Sequence, residues 1–150
     1  MELPDVRSLM PHSGAMVLLD RVVAIEDDRL SAEVSIRPDS LFYRAGGVGA
    51  WVGMEYMAQA IAAYVGHLAR ARGEPVKIGF LLGLRRYECS RPVFERGSVL
   101  RVHVKCILHS ENGLGSFDCY LEDANEKVAS ATITVFQPGD AIEVFRESRP

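Results

Sequence analysis

Residues 50–72 read AWVGMEYMAQAIAAYVGHLARAR, from Ala50 to Arg72, and this stretch decides the fold. It contains no proline and consists mostly of good helix formers. Its apolar positions Met54, Met57, Ala58, Ile61, Val65 and Leu68 recur at helical spacing. At ~1.5 Å per residue the helix would be roughly 34 Å long, enough to cross a bilayer. Glu55, Gln59 and His67 interrupt it, however, and strand-like segments follow with no second span. The reading is a helix buried under a sheet, with no membrane span.

Working outward, residues 1 to about 12 are short and polar and predict one helical turn closed by Pro11. MVLLDRVVAIEDDRLSAEVSI, Met16 to Ile36, predicts two strands joined by a hairpin loop at Asp27-Asp28-Arg29. Residues 37–49 hold Pro38, Gly46, Gly47 and Gly49 and read as an irregular loop. Beyond Gly73-Glu74-Pro75 the segments Ile78–Leu84, Val99–His109, Ser116–Glu122 and Ala129–Phe136 predict an antiparallel meander. Turn residues separate them, at Glu111-Asn112-Gly113 and at Asp123 to Glu126. Val102, Val104, Cys106 and Leu108 alternate with His103, Lys105 and Ile107, the period of a half-covered sheet. Two strands, one long helix and about four further strands make an α+β chain, a curved antiparallel sheet wrapped around a single helix.

With 150 residues, the chain is one domain, 1–150. Hydrophobic residues at 48% and charged residues at 25% describe a globular protein rather than a disordered one. Seventeen Lys and Arg against twenty Asp and Glu give a net charge of −3, which argues against a nucleic-acid binder. Three cysteines without CxxC spacing suggest neither a disulfide framework nor a zinc site. The opening MELPDVRSLM lacks a basic start followed by an apolar run, so the expectation is an unprocessed, cytoplasmic protein.

In a helix this apolar the few polar residues carry information. Glu55 and Gln59 are four apart and share one face. Glu55 also lies near the helix start, where the dipole and backbone N–H groups without helical partners can hold an anion or a carbonyl oxygen. Two readings stay open: a solvent-facing Glu55 that complements the dipole with Gln59 as a core amide bonded to a loop, or a carboxyl put to chemical use. His67 is twelve residues on, about 120° around the helix, and reads as a structural or interface histidine. His103 and His109 lie on a predicted strand with no acidic or cysteine partner at ligand spacing, so no metal is expected. No GxSxG, P-loop or GxGxxG motif is present. Arg85, Arg86, Arg91 and Arg96 fall within twelve residues and are either a solvated strand end or a basic rim for a phosphate or an acidic partner.

Pro11-His12-Ser13, followed by Met16-Val-Leu-Leu-Asp20-Arg21-Val22, resembles the PHR-x-P-x-LL-x-DR-V opening of the hotdog-fold 3-hydroxyacyl-[acyl carrier protein] dehydratases. Glu55-Tyr-Met-Ala-Gln59-Ala60 is similar to their central-helix motif E-A-M-A-Q-A. Gly83, then Arg91-Pro92-Val93 and Gly97, resemble their later glycine and RPV-x-x-G stretch. The matches occur in order and cover roughly residues 8–137, and the aryl polyene-type dehydratase-like subgroup is the most similar. The resemblance implies a hotdog fold, a dimer, and an acyl chain entering at the dimer interface. Glu55 falls at the position of the family's helix carboxylate. The family's partner histidine sits in a G-H-F-P loop before the helix, but the corresponding residues 39–49, DSLFYRAGGVG, contain none.

Dehydration of a 3-hydroxyacyl thioester needs a base for the α-proton and an acid for the leaving hydroxyl. What the resemblance implies is a dehydratase, or a dehydratase subunit, for acyl chains on acyl carrier protein in fatty-acid or polyene-type lipid biosynthesis. It would need no cofactor beyond the carrier's phosphopantetheine. Glu55 would be the acid, with Gln59 bonding and orienting it, and Tyr43 or His12 could stand in for the histidine. Backbone N–H groups near Ala50 and Trp51 and at Gly83 would hold the thioester carbonyl. The working unit would be a homodimer, or a heterodimer with a second hotdog subunit that brings the histidine. The alternatives are an acyl-thioester hydrolase of the same fold, with Glu55 as general base, and a catalytically silent acyl-binding subunit.

Overall fold

The computed structural model describes residues 3–10, 16–74, 80–110 and 112–136. A 3-10 turn at Val6–Leu9 is followed by β1 (Arg21–Ile25) and β2 (Arg29–Ser35), then by β3 (Tyr43–Arg44) and β4 (Gly47–Gly49). A 3-10 turn at Ala50–Val52 leads into α1 (Gly53–Ala71). The chain continues through β5 (Phe80–Cys89), β6 (Val93–Glu95), β7 (Val99–His109), β8 (Leu114–Asp123) and β9 (Glu126–Phe136). Six strands form an antiparallel sheet in the order β1-β2-β7-β8-β9-β5, and β3-β4-β6 form a second, small one. The large sheet curves around α1, giving the hotdog fold that the motifs imply.

Alternation within the strands places the core. Leu30, Ala32 and Val34 on β2, Leu100, Val102 and Val104 on β7, and Phe117, Cys119 and Leu121 on β8 are all buried. They close on a helix whose Tyr56, Met57, Ala60, Ile61, Ala63 and Tyr64 are buried as well. Tyr64 meets Phe117 edge-on at 5.7 Å between ring centroids, and its hydroxyl donates to the Asp27 carbonyl in the turn between β1 and β2.

The departures from the sequence reading have local causes. The predicted helix at 50–72 begins with a 3-10 turn, so its α-helical part starts at Gly53 and Glu55 sits in the first α-helical turn. The 37–49 loop is partly ordered, because Gly47 and Val48 are buried where β4 pairs with β6. Arg29 belongs to β2 rather than to the hairpin loop. β5 runs on to Cys89 rather than ending at Leu84, as an edge strand of the large sheet. Leu108 is exposed rather than inward because a register shift between Cys106 and Leu108 breaks the alternation.

Candidate active site at the start of the central helix

Gln59 is fully buried, and all of its local hydrogen-bonding geometry is fixed. Its Oε1 accepts the Leu18 N–H at 2.8 Å, and its Nε2 donates to the Met16 carbonyl at 2.7 Å. The two backbone partners settle the orientation of the amide, since a flipped side chain would oppose donor to donor and acceptor to acceptor. The second Nε2 hydrogen is thereby aimed at Glu55 Oε1, 3.0 Å away. Gln59 is thus both the core amide bonded to a loop and the group that orients the carboxyl one turn back. Glu55 is half-buried and takes no other hydrogen bond among the described residues. Oε1 accepts from Gln59, and Oε2 takes no hydrogen bond among the described residues.

The turn before Glu55 is held firmly. The Ala50 N–H donates to the Pro92 carbonyl at 2.9 Å, so it is occupied and does not supply the free donor expected of it. The Ala50 carbonyl accepts the Tyr87 hydroxyl at 2.5 Å, a contact to which nothing in the sequence pointed. Trp51 is exposed, and its ring packs edge-on against Phe42 at 5.2 Å, which seats the 39–49 loop on the helix start.

That loop presents no imidazole. Tyr43 is half-buried and pairs through its backbone with Val48, while Phe42 is exposed. Phe42 and Ala45 hold φ angles of 70° and 49°. A left-handed backbone at a non-glycine residue costs on the order of 1–3 kcal/mol and persists where the surroundings enforce it. Here the Phe42–Trp51 contact and the β3-β4 pairing do so.

The remaining predicted residues lie along β5 and its neighbours. Gly83 sits at a register shift between Leu81 and Gly83 on the edge strand. Arg85 pairs through its backbone with Thr132. Arg86 is exposed at a second shift and has a φ of 53°. Arg91 is not free to form a basic rim, because it is ion-paired with Asp123 at 2.5 Å and with Glu126 at 3.7 Å. His12 lies outside the described residues.

Two further polar clusters form without Glu55. His103 does have an acidic neighbour: its Nε2 approaches Glu122 Oε1 at 2.5 Å, and its Nδ1 shares a 2.7 Å hydrogen bond with Ser31. The ring also stacks on Tyr120 at 4.4 Å. The four residues come from three strands, so spacing along the chain could not reveal them. They occupy outward positions of the sheet. A cavity of about 230 Å³ opens between residues 17–20, the loop after β2 and Tyr56. Within it Arg37 pairs with both Asp20 and Asp39, and the Asp20 carboxylate accepts the Ser35 N–H.

Comparison with known proteins adds to this geometry. The family model described as ApeP-like, ApeP dehydratase, matches residues 4–146. Among solved structures, the chain is similar to one from the dehydratase heterocomplex ApeI:P of Xenorhabdus doucetiae. The identity is 27% and the TM-score 0.89, over 99% of this chain and 100% of that one. A hypothetical thioesterase protein with coenzyme A from Streptococcus pneumoniae TIGR4 shares the fold at 16% identity and a TM-score of 0.63, over 80% of this chain and 86% of that one. So does the smu.793 protein from Streptococcus mutans UA159 bound to acetyl CoA, at 15% identity and a TM-score of 0.61, over 79% and 88%. No curated protein sequence matches significantly. Among the described residues no helix is long and apolar enough to cross a membrane.

Proposed function

The chain belongs to the ApeP-like dehydratase family, and from that premise we propose that it is the carboxyl-bearing subunit of a two-subunit 3-hydroxyacyl-thioester dehydratase. The observation that carries the reading is Glu55, oriented at the helix start by a buried amide, with no histidine in the loop that precedes the helix. The similarity to a chain of a dehydratase heterocomplex supports a second hotdog subunit as the source of the base. The acyl chain is presented by acyl carrier protein, as in fatty-acid or polyene-type lipid biosynthesis.

The base removes the α-proton, and the released electron pair becomes the C2–C3 double bond as the C3–O bond breaks. Glu55, protonated at the outset, delivers its proton to the departing hydroxyl, and water leaves. Negative charge develops on the thioester oxygen meanwhile, and the backbone N–H groups of Trp51 and Gly83 are the donors assigned to it.

Product analysis with a 3-hydroxyacyl carrier-protein substrate tests the reading. The chain mixed with a histidine-bearing hotdog partner should release the enoyl thioester, while the chain alone should turn over weakly or not at all. Free acid as the product would make it a thioesterase instead. No turnover in the mixture would leave an acyl-binding subunit.

A further inference from the structure

Tyr87 reaches the helix start only because β5 is irregular. Arg85 pairs with Thr132 and Glu88 with Ser130, so two residues, Arg86 and Tyr87, stand opposite the single Ala131. Thr132 and Ser130 lie on the outer side of β9, whereas Ala131 is buried. Strict alternation from the Arg85–Thr132 backbone pair would place position 87 on the outer side of the sheet. The extra residue, taken up by Arg86 at a φ of 53°, reverses the phase and turns Tyr87 toward the helix.

There its hydroxyl meets the peptide between Ala50 and Trp51. The Ala50 oxygen accepts from Tyr87 Oη and from the Gly53 N–H, which occupies both of its lone pairs and closes residues 50–53 as a 3-10 turn. Pro92 holds the N–H of the same residue. Gly53 belongs to the arrangement, since a Cβ at that position would overlap the Tyr87 hydroxyl. Burial pushes the Tyr87 hydroxyl well above the usual phenol range, so it remains a donor at any working pH.

We propose that Tyr87 is a positioning residue for the reaction: by fixing the Ala50 carbonyl and the 3-10 turn, it sets where Glu55, two residues past Gly53, presents its carboxyl. The inference rests on the reading of Glu55 as the acid. Freed from Tyr87, the turn can relax toward α-helical closure and carry Glu55 with it. A displacement of about 1 Å in such a group costs on the order of 10- to 100-fold in rate.

The test uses the complex with its histidine-bearing partner and a 3-hydroxyacyl carrier-protein substrate. Tyr87→Phe keeps the ring and removes the hydroxyl. It should lower kcat by about 10- to 100-fold and leave KM within about twofold. The complex should stay assembled and melt within a few degrees of wild type. Gly53→Ala, which presses a methyl group on the same oxygen, should lower kcat similarly. The double variant should lose no more than the worse single, because both act on one contact. If Gly53→Ala does not fold, Tyr87→Phe alone decides. Glu55→Gln separates the two claims. An inactive Glu55→Gln beside a fully active Tyr87→Phe overturns the positioning role alone, as does a loss that merely follows the unfolded fraction. A fully active Glu55→Gln overturns the reading beneath it as well.

Discussion

At the scale of the residue, Gln59 bonds both the 16–18 segment and the Glu55 carboxyl. Replacing it with leucine strands the Met16 carbonyl and the Leu18 N–H in the interior and frees Glu55 from its orienting donor. Each stranded backbone group costs about 1–3 kcal/mol. Gln59→Leu should therefore lower the melting temperature by several degrees in a thermal scan, and activity per folded molecule should fall as well. A variant with wild-type stability would show that the 16–18 segment does not depend on the amide. The spacing of Glu55 and Gln59 was legible in the sequence because a helix repeats every 3.6 residues and the pair shares a face. The loop partners of Gln59 were not, since they lie more than forty residues away along the chain. The occupation of the Ala50 N–H by Pro92 was hidden for the same reason.

At the scale of the element, α1 could be read from the sequence because its apolar periodicity is long, and β7 because its alternation is strong. The irregularities that build the site could not. A β-bulge depends on the count of residues in the partner strand, so neither the exposure of Leu108 nor the inward turn of Tyr87 is written in its own segment. The Ser31–His103–Glu122 contacts are likewise cross-strand. The contact of α1 with the N-terminal turn was equally unreadable, yet it constrains a single residue. A Cβ at Gly66 would overlap the Leu9 carbonyl oxygen. In an exposed helix Gly→Ala gains up to about 1 kcal/mol. Here the overlap falls on backbone rather than on a flexible side chain, so the sign reverses. Gly66→Ala should unfold at lower urea concentration than wild type, and a rise in that midpoint would mean that the N-terminal turn is not packed on the helix.

At the scale of the whole molecule, burial governs the response to alkali. Tyr56 is pushed up to about 12, mainly by burial and then by the Asp20 charge, and burial also raises Tyr64, Tyr87 and Cys119. Each group is held in its neutral form by the fold, so the folded state binds protons more tightly than the unfolded one. The associated stability is complete below the ordinary thiol and phenol values of 9.0 and 10.0. It is lost as pH rises through 10 toward about 12. Melting scans should show a flat plateau near pH 8 and a steep fall above pH 10, whereas a constant melting temperature up to pH 11.5 would contradict the burial of these hydroxyls. The same scale holds the claim that matters most, that the working enzyme takes its acid from this chain and its base from another. The most direct measurement is enoyl-thioester formation by the assembled two-subunit complex carrying Glu55→Gln in this chain. The account predicts a loss of about 10²- to 10⁴-fold, the range for removing a general acid or base, with the complex intact by light scattering. An intact Glu55→Gln complex that dehydrates its substrate at the wild-type rate would contradict it.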